Sequence, residues 1–485
     1  MLGALIAALL IPAAPAAGAA GDRYASPGGS GTACTSSAPC ALPTAISGSS
    51  AGSRVLLASG SYPEAVVSGG GGTTSQPVVV EPAPGANPVL TRVRSTAPNV
   101  VWQNLRVTTT FYLNAGSTGS ALRSMHFDGG GLFLRAARIT VTGSEFEGGS
   151  SIDGIQVGNA SDVLIEGNSI HDYNQSTANG YHADCLQIFD SARVTVRGNR
   201  IANCYNAGVI LSPGAGTGMT DIVIESNFIQ GCVVKSAACA GGSAVDLRPP
   251  KISGLVVRGN TILNGSTRLI PSPGLVADRN IIGYLSDCAA PVTNSVILAW
   301  NTAGCGQPAS IGANGTRYGV VQFRDAAAGD LHLVTPTEAR IAGAGSFATA
   351  RTDIDGQTVD ARLAGADSVP GAALGAVPNP QPPTSGGGGG GTGGTAALTL
   401  TANTGSMSNV PGIDAYLAAR GVSGTAFTVA VNGRTGIQGA RSASGWTVSW
   451  SLSGVAPGLY TTSASVTTTA GGTTSIPLTV RVVAG

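Results

Sequence analysis

Residues able to move a proton crowd into two short stretches, His171-Asp172-Tyr173 and Tyr181-His182-Ala183-Asp184. The chain has only 4 His, and half of them lie between positions 171 and 184 together with two Tyr and two Asp. An imidazole titrates near neutral pH, and a neighbouring carboxylate fixes its orientation. His182 beside Asp184 is therefore the expected general base. Tyr181 or Tyr173 is the expected acid, and His171 a second proton carrier. Either tyrosine could also stack on a sugar face.

Two further positions repeat. Asp153-Gly-Ile-Gln156 and Asp184-Cys-Leu-Gln187 overlay without a gap, and each leads to a Gly-Asn pair, Gly167-Asn168 and Gly198-Asn199. If Asp153 and Asp184 face one groove on neighbouring strands, they stand roughly 5 Å apart. Carboxylates that close share a proton or a cation, and Ca2+ is the expected ion. The competing structural reading is two separate Asp caps at turns. Gln156, Gln187, Ile210 and Asp246 fall in one column, each between two apolar neighbours. The apolar pair faces a core, so the column faces out and offers Gln156, Gln187 and Asp246 to a substrate. Its competing reading is a plain surface ladder. Arg248 and Lys251 follow Asp246 and could neutralise a uronate carboxylate. Glu145 and Glu147 lie one coil earlier and could belong to the same groove.

The elements that position these groups are repeats. The unit apolar-x-apolar-x-(Gly/Ser/Arg)-Asn-x-Ile occurs at Val163–Ile170, Val194–Ile201, Ile222–Ile229, Leu255–Ile262 and Leu275–Ile282. Weaker copies lie at Val100–Val107, Leu122–Phe127 and Ile139–Phe146. Alternation with period two means strands, and a short unit with tight turns is one coil of a parallel β-helix. Stacked Asn side chains satisfy one another along the coils, so Asn168, Asn199, Asn227 and Asn260 are scaffold. Residues 174–183 are an insertion that the following coil lacks, and loops on a rigid coil are where function collects.

The segments Tyr24–Cys34, Cys40-Ala-Leu-Pro-Thr-Ala-Ile46 and Val55–Tyr62 resemble the opening of the bacterial right-handed parallel β-helix proteins, the pectate-lyase-like superfamily. Gly329-Asp-Leu-His332-Leu and Asp353-Ile-Asp-Gly-Gln357 resemble its closing coils. The resemblance spans about residues 24–375 and implies an all-β solenoid whose first coil is capped by a short helix over Pro43–Ile46. It leaves the reaction open, because the superfamily holds lyases, hydrolases, epimerases and non-enzymes. The sequence departs from the family's lyases in having no acidic triplet followed by a catalytic Arg, and it lacks the acid clusters of its polygalacturonases.

Composition sets the frame. Of 485 residues 72 are Gly and only 11% are charged, which favours strands and turns over helices. A net charge of +1 gives no global field toward nucleic acid or a membrane. Residues 1–20 read as a secretory signal peptide, so the expected location is extracellular, with no membrane contact after cleavage. Eight Cys fit an oxidising compartment. Cys34/Cys40 and Cys288/Cys305 are local pairs. Equal offsets from the Asn column favour Cys204–Cys232 with Cys185–Cys239; the rival is Cys185–Cys204 with Cys232–Cys239. The expected domains are the β-helix over 21–377, a Pro/Gly linker over 378–395 and an immunoglobulin-like or fibronectin-like β-sandwich over 396–485. That last domain is a spacer or a contact to carbohydrate or the cell wall.

The expected function is a secreted enzyme cleaving a uronate-containing polysaccharide by β-elimination, with His182 as base. Arg248, Lys251 or a cation on Asp153 and Asp184 would neutralise the uronate. The alternatives are an epimerase, a hydrolase using Asp184 with Asp153 or Asp246, and a non-catalytic binding or adhesion protein.

Overall fold

The computed structural model describes residues 21–175, 183–233, 236–248, 251–301, 306–342, 351–380 and 382. Of the C-terminal part it describes 397–400, 404–407, 413–418, 422–431, 433–442, 445–455 and 458–482. The expected signal peptide lies outside the described residues. The chain divides into two compact units, 1–379 and 380–485.

The first unit is a solenoid of parallel strands. One face is a 13-stranded sheet built coil by coil, including Ser161–Glu166, Ala192–Arg197 and Met219–Glu225. After a corner each coil adds a short strand, such as Ser169–His171 or Arg200–Ala202. A second corner leads to a third strand, such as Ile155–Gly158, Asp184–Phe189 or Ala207–Leu211. Alternate residues of all three faces point inward, so Ile155, Val157, Leu186, Ile188, Val209 and Leu211 join Val163, Val194 and Ile222 in one apolar core.

The first corner explains the repeated asparagine. Asn168, Asn199, Asn227, Asn260 and Asn280 are buried, and each of the first four donates its Nδ2 to the Oδ1 of the next, at 2.9, 3.0, 2.9 and 3.1 Å. Each Oδ1 also accepts the backbone N–H of the preceding Asn, so the amides satisfy a buried column of main chain. The left-handed backbone falls on the residue before the Asn: Gly167, Gly198 and Gly259 at φ 64°, 63° and 59°, and Ser226 and Arg279 both at φ 54°. That is the Gly/Ser/Arg position of the repeat, and glycine is favoured there because it has no Cβ to clash.

The open end of the first coil is covered by the helix Leu42–Ser47, which buries Leu42, Ala45 and Ile46. Toward the other end, residues 321–342 and 351–367 fold back over the short-strand face. Phe228, Leu263, Leu331 and Ala366 form one apolar cluster there, and Ile281, Val296, Leu333 and Leu363 another.

The structure corrects the favoured disulfide scheme. The bridges are Cys34–Cys40, Cys185–Cys204 and Cys232–Cys239. Cys204 and Cys232 do stack, with Cys232 Sγ 3.6 Å from the Cys204 carbonyl oxygen, but Cys204 turns its sulfur to Cys185 at the next corner. Cys288 is also disulfide-bonded; Cys305, its expected partner, lies outside the described residues.

The second unit has seven strands in a single hydrogen-bonded order, antiparallel except where Ala397–Leu400 joins Thr473–Val482. They enclose a separate core that includes Phe427, Val429, Trp446, Val448 and Val480.

Candidate functional site

On the third strand of each coil the outward column is in the expected register: Gln156 pairs with Gln187, Gln187 with Ile210, and Ile210 with Asp246. It continues upstream through Phe133, Tyr112 and Arg94. Parallel strands place these neighbours about 4.8 Å apart, which makes a track along the solenoid axis. Arg94 lies over Tyr112, 5.6 Å from its centroid, and Tyr112 stacks on Phe133 with centroids 4.6 Å apart. Gln156 and Gln187 continue the track as amides, Gln156 Nε2 donating to Gln187 Oε1 at 2.8 Å.

A cleft of about 460 Å³ opens on this track, lined by Phe133, Ile152, Asp153, Gln156, Gln187 and Phe189 among others. The guanidinium of Arg135 lies 5.9 Å from the Phe133 centroid and 5.2 Å from that of Phe189. It donates to the backbone oxygen of Gln156 at 3.1 Å and to its Oε1. Burial lowers the Arg135 pKa, while Tyr112 and Asp153 oppose that shift. Gly158 makes room for the Phe189 ring, since a Cβ there would stand 2.2 Å from Phe189 Cζ. Sequence patterning alone missed Phe133, Arg135 and Phe189. Carrying the Gln156 column one coil upstream was the available signal for Phe133.

The expected site residues are brought together only in part. His182 and Tyr181 lie outside the described residues. Tyr173 is a correction: it is fully buried in the core, and its hydroxyl donates to the Gly130 carbonyl at 2.6 Å. Burial raises its pKa, with Glu147 and Asp153 adding to the shift, so it stands as a structural wedge and not a proton donor.

The cation expected between Asp153 and Asp184 is also corrected. Both carboxylates are buried, at 5% and 0% exposure, Asp153 just before its strand and Asp184 at the start of the next. Asp153 accepts the Asp184 N–H at 3.0 Å and Gln156 Nε2 at 2.9 Å, and Asp184 accepts Asn206 Nδ2 at 2.8 Å. These bonds engage both acids, Asp153 in the cleft lining and Asp184 behind it. Asp246 is buried between Arg248 at 3.3 Å and Arg268 at 3.5 Å. Lys251 lines a different cleft with Asp190 and Thr217, and its Nζ donates to the Gly216 carbonyl at 3.0 Å.

His171 stands on the short-strand face, across the Tyr173 corner. Its Nδ1 bonds to Asp172 at 2.7 Å, and its Nε2 lies 3.6 Å from Glu145. The Asp172 hydrogen bond raises the His171 pKa above its ordinary value against the effect of burial, with help from Glu145 and Glu147. The same bond lowers the pKa of Asp172. His126 Nε2 is 2.8 Å from Glu147. Among the described residues, two groups of His and acid side chains converge closely enough to hold an ion: His126 with Glu145 and Glu147, and His332 with Asp355 and Asp367.

Residues 112–297 match the family model described as right handed beta helix region. Among solved structures the chain is similar to the A-module of mannuronan C-5 epimerase AlgE4 from Azotobacter vinelandii. That likeness has 14% identity and a TM-score of 0.29 and covers 56% of this chain and 89% of the other. It is also similar to a variant of the periplasmic alginate epimerase AlgG, at 12% identity and a TM-score of 0.21, over 52% of this chain and 50% of the other. No curated protein matches. With its parallel ladders and this family match, the solenoid is a right-handed parallel β-helix.

Proposed function

We propose that the protein is a secreted enzyme that modifies a uronate-containing polysaccharide bound along the Tyr112–Phe133–Gln156–Gln187 track. The carrying observation is that one column carries a stacked aromatic pair and then amides in unbroken register, with the Arg135 guanidinium beside it. The edges of the stacked rings offer apolar contact to a sugar. Amides suit hydroxyls, and a carboxylate lying on Gln156 meets a positive charge one hydrogen bond away.

Such a site lowers the barrier to removing the proton beside the uronate carboxylate, because neutralising that carboxylate stabilises the developing carbanion. His182 is the base of this reading and Tyr181 its acid. The outcome is β-elimination if the leaving oxygen is protonated, or C5 inversion if the carbanion is reprotonated from the other face. Hydrolysis by a carboxylate pair is less well supported, since Asp153, Asp184 and Asp246 are buried and already bonded. In the same reading the second unit contacts carbohydrate or the cell wall.

The test is incubation with a panel of polyuronates, glycosaminoglycans and a neutral glucan. Ultraviolet absorbance reads unsaturated uronate, and proton NMR reads C5 configuration. One acidic polymer should change and the neutral glucan should not. His182→Ala should lose that activity at an unchanged thermal midpoint. Binding without elimination or inversion on any acidic polymer would replace this reading with an adhesion protein.

A further inference from the structure

We propose that His126, Glu145, Glu147 and His171 form a site for a divalent transition metal of the zinc class, on the open short-strand face and separate from the Gln156–Gln187 cleft.

The backbone ladder sets the arrangement. His126 pairs in register with Glu145, and Glu145 with Ser169; Glu147 pairs with both Asp128 and His171. Three successive coils therefore deliver His, two Glu and His to one patch at strand spacing, on strands and not on loops. One donor atom from each of His126, Glu145 and Glu147 lies within 4.8 Å of the other two. His171 Nε2 faces the same Glu145 at 3.6 Å.

The second imidazole is prepared as a metal ligand. Its Nδ1 is bonded to Asp172, which orients the ring with Nε2 toward the glutamates. A carboxylate behind a histidine is the usual outer shell of a metal-bound imidazole. Asp172 is placed for this by a left-handed backbone, φ 59°.

The charge pattern also differs from that of several acids on the other strands. Glu81, Asp128, Asp162, Glu166 and Glu225 each pair with an arginine. Among the described residues, the cationic partners of Glu145 and Glu147 are the two imidazoles alone. Neutral imidazoles leave two carboxylates unbalanced, whereas a dication balances both and displaces the proton between His126 and Glu147. Imidazole donors select zinc-like ions over Ca2+, which takes oxygen ligands.

The experiment uses the full chain without a histidine tag, stripped by chelator and titrated with Co2+ while visible absorbance is read. One Co2+ should bind per chain. Zn2+ in equal amount should displace it, and Ca2+ in large excess should not. The double variant His126→Gln/His171→Gln should lose the band at an unchanged metal-free thermal midpoint. Asp172→Gly, which keeps the left-handed turn, should weaken binding by about 10–100-fold. His332→Ala should bind as wild type. No Co2+ uptake, an unchanged band in the double variant, or equal displacement by Ca2+ would each overturn the proposal. The site does not depend on the polysaccharide reading, and metal uptake is read without activity.

Discussion

The two histidine–carboxylate clusters meet one outward face of the solenoid, one carried by its own strands and open, the other carried by the segment that covers it. The shared column runs His126, Glu145, Ser169, Arg200, Phe228, Thr261, Ile281, Val296. Its first half is polar and open. From Phe228 onward the outward positions are buried and, Thr261 apart, apolar, and residues 321–342 and 351–367 lie over them. His332 belongs to that cover. It meets Phe228 edge-on at 5.2 Å, bonds Asp355 at 3.0 Å and also bonds Asp330, while buried Asp367 accepts the Leu333 N–H at 2.7 Å. Arg200 marks the border, with its guanidinium over Phe228 and 3.5 Å from Asp355. The same residue types thus have two meanings. Under a cover they satisfy one another and buried backbone; on an open strand face they keep donor atoms toward solvent.

The largest break in this comparison should come from its apolar side. Phe228→Ala opens a cavity under the closing segment, and a loss of about 3–5 kcal/mol is expected by denaturant unfolding. Phe133→Ala, on the open track, should lower stability by less than about 1 kcal/mol while weakening polymer binding. Equal losses would mean the open face is as structural as the covered one.

Asn227→Ala should come next. It interrupts the buried ladder and leaves its neighbours unsatisfied, at about 1–3 kcal/mol for each orphaned group.

The clasp should also respond to pH. Burial disfavours charge on His332, but the Asp330 and Asp355 hydrogen bonds outweigh it and its pKa is raised. Asp367 and Arg200 also face this group, and Arg324 acts on Asp330. A raised folded value gives stability that is complete below the unfolded imidazole pKa of about 6.5 and is lost as pH rises through the folded value. Hydrogen exchange over 323–333 and 353–367 should therefore quicken, relative to the intrinsic rate, as pH climbs above about 6.5. Flat protection, or the same trend in His332→Gln, would contradict that role.

The smallest effect is expected on the open face. Arg106→Ala, which removes the exposed pair with Asp128, should change stability by no more than about 0.5 kcal/mol.

Much of this was legible in the residues. The Asn-to-Asn offsets predict the ladder and, through it, the register of Gln156, Gln187, Ile210 and Asp246, because a solenoid turns sequence alignment into neighbourhood. The direction of side chains at corners was less legible. Asp153 and Asp184 look like equivalent turn residues, yet Asp153 sits before its strand in the cleft lining while Asp184 opens its strand fully buried. Cys204 has the same ladder offset as Cys232 but points to another corner. Tyr173 reads as a loop phenol and is core, because Gly149 and Gly154 leave the space its ring occupies; a Cβ on either would stand 2.3 and 3.0 Å from that ring. The convergence of His126 with Glu145 and Glu147 was hidden in the weakest upstream repeats, where no Asn fixes the alignment.

The central claim is that an acidic polymer lies on the Gln156–Gln187 cleft and loses its C5 proton there. Transfer of deuterium from heavy water into the uronate C5 position, or release of that proton on elimination, tests it most directly. Wild type should exchange or eliminate. Gln187→Ala and Arg135→Ala should do so at least about tenfold more slowly, the equivalent of one lost contact of about 1.4 kcal/mol. No exchange or elimination in the wild type, or equal rates in all three proteins, would contradict the account.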